Sequence, residues 1–291
     1  MKFATFNVLH GRPIVNGRPL PVQAGGEPFT EAVASLDADV LALQELDHLQ
    51  ERSGGVDQAL VAASASGAKD WRYAAALHGR WAPDTGWTCD RAEPGMRVHG
   101  PHEAVDGGAV PSHGIALLTR LPVRAWGARR LAPAPWRVPI RVAGRPGLTM
   151  AADQARVALA AVLEGDRGPF TVVAVHLSFV PGWNIGQLGA VRRWIADLPR
   201  PCLLLGDFNM IGAVPRITLG GAGAMDGVIR RERPQSGWRN LARTPTYPSH
   251  RPVVQFDHVL ANGISRESVR AVSTPLMPIS DHRPVVVELS L

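Results

Sequence analysis

Lysine is nearly absent from this chain. Lys2 and Lys69 are the only two, so the formal charge of +6 over 291 residues rests on arginine. Arginine pairs bidentately with phosphate and carboxylate, and a basic surface suits an anionic partner. A GC-rich coding sequence, which favours Ala, Arg, Gly and Pro, would give the same bias, so charge alone identifies no partner. Cysteine is as scarce: Cys89 and Cys202 cannot build a disulfide framework or a zinc cluster, and Cys202 lies in an apolar stretch as a small core residue. Tyrosine occurs only at positions 73 and 247. No apolar run reaches the length that crosses a bilayer, no apolar leader precedes the first strand, and no internal repeat is visible. The expectation is a soluble, cytoplasmic protein with no transmembrane segment and no obligate protein partner.

What the chain does have is a series of polar islands, each at the edge of a short apolar run. Thr5-Phe6-Asn7 ends the first strand, and Gln44-Glu45 follows Val40 to Leu43. His176 follows Val172 to Val175, and Gly206-Asp207-Phe208-Asn209 follows Cys202 to Leu205. Asp257-His258 precedes Val259-Leu260-Ala261, and Ser280-Asp281-His282 precedes Pro284 to Val287. Polar groups at the ends of buried strands are where an α/β scaffold presents its chemistry. The islands run from residue 7 to residue 282 and must converge, which favours one domain over residues 1–291.

Between the islands, Thr30 reads as the N-cap of a short amphipathic helix containing Val33 and Leu36, and Ser53 to Ser66 as a second helix. Ile185 to Leu198 reads as a third, with Leu188, Val191, Trp194 and Ile195 on one face. Ala155 to Leu163 and Phe170 to Leu177 read as a hairpin. Residues 78–113 are dense in Gly, Pro, Trp and charge and have no period, so they read as a long insertion. Residues 128–150 read as an excursion from a sheet edge. Strands outnumber helices, and hairpins alternate with crossovers, which points to mixed sheets covered by helices.

The set Asn7, Glu45, His176, Asp207, Asn209, Asp257, Asp281 and His282 holds carboxylates, carboxamides and imidazoles and no thiolate. Hard oxygen donors favour Mg²⁺ or Mn²⁺ over zinc, and Glu45 helped by Asn7 would suffice for magnesium. Hydrolysis of a phosphate ester needs an oriented water and neutralised phosphoryl oxygens. Asp207 can orient the water. Asn209, two residues on along an extended chain, would point the same way and donate to a phosphoryl oxygen. His282 and His176 can donate to the phosphate. Each island alone has an ordinary reading: a tight Asx turn for Gly-Asp-Phe-Asn, a satisfied buried histidine for His176, an ion pair with Arg283 for Asp281. Their order and their placement on strand ends set them apart.

In that order the chain resembles the endonuclease/exonuclease/phosphatase superfamily, which includes deoxyribonuclease I. The resemblance is carried by Ala4 to Val8, Leu43-Gln44-Glu45, Gly114 to Pro122, Val175 to Ser178, Gly206 to Asn209, Thr246-Tyr247-Pro248 with Phe256 to Leu260, and Ser280 to Val285. It implies a four-layer α/β sandwich of two packed mixed sheets, with the active site at one end. It also implies Glu45 as principal metal ligand supported by Asn7, and Asp207 aligning or deprotonating the water. Asn209 would sit on the phosphoryl oxygen, and Asp257 would hold His282 against the scissile phosphate. Asp281 would be a further metal ligand or a structural neighbour.

The departures narrow the branch. Leu9 stands where abasic-site endonucleases carry aspartate, and His176 is typical of the deoxyribonuclease, sphingomyelinase and phosphatase branches. The carboxylate that partners this histidine in deoxyribonuclease I has no clear counterpart; Glu103 and Asp106 lie in the right region. The expected function is metal-dependent hydrolysis of a phosphodiester, as in a nuclease. A phosphomonoester or sphingomyelin-like phospholipid is the alternative substrate, and a non-catalytic scaffold domain is the rival of another class.

Overall fold

A computed structural model of the chain describes residues 1–21, 26–90, 95–102, 110–140, 147–220 and 237–291. The strands in chain order are β1 (Lys2–Asn7), β2 (Ile14–Val15), β3 (Arg18–Pro19), β4 (Val40–His48), β5 (Asp70–Ala82), β6 (Gly86–Cys89), β7 (Arg97–His99), β8 (Ser112–Thr119) and β9 (Val123–Leu131). They continue as β10 (Arg137–Ile140), β11 (Thr149–Ala152), β12 (Arg156–Gly165), β13 (Gly168–His176), β14 (Cys202–Asp207), β15 (Arg239–Asn240), β16 (Asp257–Asn262), β17 (Val269–Ser273) and β18 (Val285–Leu289). The helices that cover the sheets include, among the described residues, α1 (Glu27–Leu36), α2 (Gln58–Ser66) and α3 (Trp183–Trp194).

Among the described residues two large mixed sheets form. One runs β17-β18-β1-β4-β8-β5-β6, with β7 also on β5; the other runs β15-β16-β14-β13-β12-β9. The parallel pairs are β1 with β4 and β13 with β14. Strand alternation explains the layers. In β4, Val40 and Ala42 point between the sheets and meet Val157, Leu159, Val172 and Leu205. Leu41 and Leu43 point the other way, onto Phe29, Val33 and Leu36 of α1 and Ala59 and Ala62 of α2. On the far side, Val173, Val175 and Leu204 pack against Leu188 and Val191 of α3. The result is the expected helix–sheet–sheet–helix sandwich.

Some local expectations change. Helix α1 starts at Glu27 behind Gly26, and the Thr30 hydroxyl donates back to the Gly26 carbonyl at 3.2 Å instead of capping. Helix α2 starts only at Gln58, because Asp57 is the cap, accepting from the amides of Ala59 and Leu60. The left-handed glycines 54 and 55 end the preceding turn. The segment 78–113 is less irregular than its composition suggests: β5 runs into it as far as Ala82 and turns back through β6, and β7 adds to the sheet edge.

Candidate functional site

The strand-end islands do converge, on one rim of the sandwich. Register places them there: Asn7 is level with Gln44 across the parallel β1–β4 pair, His176 with Asp207 across β13–β14, and Asp207 with Asp257 across β14–β16. The Asn7 carboxamide then joins the two sheets. Its Nδ2 donates to Glu45 Oε1 at 3.2 Å and to Asp207 Oδ2 at 3.0 Å, while its Oδ1 accepts from the Leu9 amide.

Glu45 is not at a strand end. Strand β4 continues to His48, and Glu45 is a bulge in it, at φ +59° with the β8 register slipping between Gln44 and Leu46. A bulge re-aims a side chain, and here it turns Glu45 onto the rim. Burial would raise its pKa, but the basic groups of His176, His113, His10 and Arg156 outweigh that and hold it down at about 2. Arg156 is the permanent charge among them.

Asn209 reaches the rim for a different reason from the expected one. The chain after Asp207 is not extended. Asn209 is left-handed at φ +50°, and its amide donates to Asp207 Oδ1 at 2.8 Å, an Asx turn. The turn orients both side chains, so the Asx turn and the placement of Asp207 and Asn209 on the rim go together. Asn209 Nδ2 donates to the Leu177 carbonyl, and its own carbonyl accepts from Asn184. Gly206 is obligatory: at φ +154°, a Cβ there would lie 1.9 Å from the Val175 carbonyl oxygen.

His282 Nδ1 lies 2.8 Å from Asp257 Oδ2, which also accepts from the Thr246 hydroxyl at 2.6 Å. Burial opposes protonation of His282, but the charge and hydrogen bond of Asp257, with Asp207 and Asp281 nearby, push its pKa up to about 10. Its Nε2 is 4.0 Å from Asp207 Oδ2. Burial, with Asp257's charge adding to it, pushes Asp207 up to about 7. Asp281 is raised mainly by burial. Arg283 binds the Ser249 carbonyl, so Asp281 is not its partner. Ser280 ties the terminal turn down: its hydroxyl donates to the Asn7 carbonyl and accepts from the His282 amide.

His176 completes the rim, its Nε2 3.8 Å from Asp207 Oδ2. The group beside it is a guanidinium: Arg156 Nη1 is 3.3 Å from Nδ1 and 3.2 Å from Nε2. Burial and then Arg156 hold the imidazole neutral, far below its usual range. Glu103 and Asp106, the expected carboxylate partners, lie outside the described residues. A small pocket with about 10 Å³ of free volume, room for roughly one water, is lined by Arg156, His176 and His113.

Sequence reasoning missed Arg156, Thr246's contact, and a network beside Glu45. There Arg52 grips Asp47 bidentately at 2.7 and 2.8 Å, and His113 Nδ1 meets the same carboxylate at 2.8 Å. The signal for Arg156 was its position, the single charge opening an otherwise apolar strand. The signal for Asp47 was a carboxylate flanked by apolar and histidine residues only two positions past Glu45.

The donor set fits a hard divalent cation: the ionised Glu45 and the Asp207 carboxylate approach within 3.2 Å of one amide nitrogen, with Asp281 adjacent.

This fold and this rim define a phosphoesterase scaffold of the deoxyribonuclease I type. The chain belongs to the endonuclease/exonuclease/phosphatase family, whose model matches residues 4–282. Solved structures with the same fold include an endonuclease/exonuclease/phosphatase from Beutenbergia cavernae, with 19% identity over 100% of this chain and 71% of that one and a TM-score of 0.58. A mannosyl-6-phosphatase from Bacteroides thetaiotaomicron has 15% identity over 100% of both chains and a TM-score of 0.55. A 3'-5' exonuclease from Neisseria meningitidis has 16% identity over 100% of both and a TM-score of 0.51. No curated protein sequence matches the chain. Among the described residues no helix is long and apolar enough to cross a membrane.

Proposed function

We propose that the chain is a Mg²⁺- or Mn²⁺-dependent phosphoester hydrolase acting on phosphodiesters, nucleic acid among them. The observation that carries this reading is the Asn7 bridge between Glu45 and Asp207, set 4.0 Å from the Asp257-held His282. Glu45, with Asp281, would hold the metal, and Asn7 would support it by orienting Glu45 through its Nδ2. When bound, the cation polarises the phosphoryl group and offsets its charge.

The rest is the work of the side chains. Asp207, its pKa near 7, aligns a water and takes its proton as the water–phosphorus bond forms and the ester P–O bond breaks. The protonated His282 donates to a phosphoryl oxygen, as does the free N–H of Asn209; the departing alkoxide takes the His282 proton, which the proton gathered by Asp207, 4.0 Å away, then replaces. His176, neutral, hydrogen-bonds a further oxygen.

One observation favours a second reading, a terminal phosphate. Arg156 adds a permanent cation beside His176, and a dianionic monoester gains more from it than a monoanionic diester does. The named activities of the Bacteroides and Neisseria proteins span a phosphatase and an exonuclease.

The test is a metal-stripped enzyme assayed on bis-p-nitrophenyl phosphate, p-nitrophenyl phosphate, plasmid DNA, RNA and sphingomyelin. Activity is expected to vanish in EDTA and return with Mg²⁺ or Mn²⁺. Glu45→Gln should lower the rate by about 10²-fold or more at saturating metal while the protein stays folded. Full turnover in chelator, or no turnover on any substrate by folded, metal-replete protein, overturns the reading.

A further inference from the structure

A second cluster of metal-binding chemistry lies on the other face of the first sheet. His48 ends β4, Asp57 caps α2 and His99 ends β7. Their side chains meet beside Tyr73, whose ring centroid is 6.0 Å from that of His48 and 5.0 Å from that of His99. Tyr73 belongs to the apolar layer under α1 and α2, so the cluster is on the helix-covered face and not on the catalytic rim.

Asp57 Oδ2 is 3.3 Å from His48 Nδ1 and 3.1 Å from His99 Nε2, and the three donor atoms all lie within 4.8 Å of one another. Tetrahedral zinc, with bonds of about 2.0–2.1 Å, separates its ligand atoms by roughly 3.3 Å. The two measured edges match that figure. The carboxylate is pre-oriented for such a role. Its other oxygen, Oδ1, accepts from the Ala59 and Leu60 amides at 3.0 and 3.1 Å, which leaves Oδ2 for the cluster. It is also ionised: burial opposes this, but contacts with His48, His99 and the Leu60 amide outweigh it.

A second observation points to a ligand. His48 Nδ1 is buried and has no hydrogen-bond partner among the described residues. Its side chain is 6% exposed, and the atom is aimed at Asp57 without the alignment of a hydrogen bond. A buried ring nitrogen in that state is destabilising unless something accepts its lone pair or proton.

We propose that His48, Asp57 and His99 form a zinc-class metal site, distinct from the catalytic centre. Two imidazoles and one carboxylate select Zn²⁺, or Co²⁺ in its place, over Mg²⁺. Three protein ligands leave the fourth tetrahedral position to water or another donor. The role that follows from the placement is structural. The metal pins the edge strand β7 and the start of α2 to the end of β4, closing the loop that sets Arg52 on Asp47 of β4, two residues from Glu45.

The test uses full-length Glu45→Gln protein, stripped of metal and refilled with Co²⁺, so that the catalytic centre is weakened as a competitor. One equivalent should bind with the intense visible bands of tetrahedral cobalt, and Zn²⁺ should displace it. Zinc at a hundredfold excess over its dissociation constant should raise the melting temperature by roughly 5 °C. Asp57→Asn is the decisive variant, because asparagine caps a helix as well as aspartate does but brings no anionic ligand. Folding should survive, cobalt affinity should fall by more than about tenfold, and the zinc shift should disappear. Absence of cobalt bands in folded Glu45→Gln protein, or bands and zinc shift unchanged in Asp57→Asn, overturns the proposal.

Discussion

Two histidines flank Asp207, and they are in opposite states. His282 has a carboxylate behind it, Asp257 at 2.8 Å, and stays protonated to about pH 10 although it is buried. His176 has a guanidinium beside it, Arg156 at 3.2 Å, and stays neutral. Both reach the same atom, Asp207 Oδ2, from 4.0 and 3.8 Å. Burial acts alike on the two rings, so the sign of the neighbouring charge decides the difference. On one flank the positive charge facing the phosphate sits on the imidazole itself; on the other it sits one residue away, on Arg156. The cleft therefore carries two cations while only one of its two histidines is charged.

The largest effect is expected from removing the carboxylate. Asp257→Asn leaves shape and the Thr246 contact nearly intact but cancels the charge that holds the His282 proton. The His282 pKa should then fall by several units, read by NMR titration of its ring. The rate constant kcat/KM should drop by about 10³-fold at neutral pH. A drop below tenfold with the pKa unmoved would mean that Asp257 only packs against the ring.

Arg156→Met tests the opposite flank. It removes the guanidinium and keeps the apolar stem. His176 should regain basicity, since the largest cause of its depression after burial is gone. Turnover of p-nitrophenyl phosphate should fall by about 10- to 100-fold, and that of bis-p-nitrophenyl phosphate by less, because the dianion depends more on the lost charge. Equal losses on both substrates would remove the basis for the monoester reading and leave Arg156 a structural role.

Stability should follow the same division. Asp207 and His282 have raised pKa values, so each binds its proton more tightly when folded. The contribution of Asp207 is present in full below its ordinary pKa and is lost as pH rises toward about 7. That of His282 is full below about 6.5 and is lost as pH rises toward about 10. Glu45 and Asp47 are lowered, so their contributions are present above the ordinary carboxylate range and lost in acid. His10 and His176 are lowered as well, so their contributions are present above about 6.5 and lost as pH falls. In chelator, the melting temperature should therefore peak near neutral pH and decline by several degrees toward pH 10. Asp257→Asn should flatten the alkaline decline, since a histidine with no raised pKa has nothing to lose there.

Much of this was legible in the sequence. The islands at strand ends pointed to one shared rim, and the unbroken apolar run Val40 to Leu43 marked a buried strand. What was hidden was local backbone geometry and cross-strand contact. Glu45 is aimed by a bulge, and a bulge shows itself only in the β8 register. Asn209 is aimed by a left-handed turn, which an extended reading of Asp207-Phe208-Asn209 could not contain. Arg156 is one of many scattered arginines until the β12–β13 pairing sets Ala158 opposite Val175 and so brings Arg156 beside His176. The tryptophans at 81 and 87, in the segment read as an aperiodic insertion, are engaged within the fold: each ring centroid lies 5.1 Å from the Arg52 guanidinium.

That last contact supplies the third case. His113 has both kinds of neighbour at once: Asp47 Oδ1 at 2.8 Å and Arg52 Nη2 at 3.3 Å, with the Trp87 ring 5.5 Å away. Trp87→Ala strips one of the two rings from Arg52 without touching Asp47. A cation–π contact of this kind contributes about 0.5–1 kcal/mol, so the melting temperature should fall by only about 1–2 °C. Arg52 should remain on Asp47, because the bidentate grip is the stronger bond, and hydrolysis of a nitrophenyl ester should stay within about twofold of the parent. Activity on plasmid DNA or RNA is the sharper readout, since the β5–β6 hairpin stands beside the rim and a large substrate must pass it. A loss on the polymer with the small ester spared makes the hairpin a specificity element. Equal retention of both makes it a brace for Arg52 alone. A large loss on the small ester would show that Arg52 and His113 act on the reaction itself, and the contrast between His282 and His176 would then extend to a third histidine.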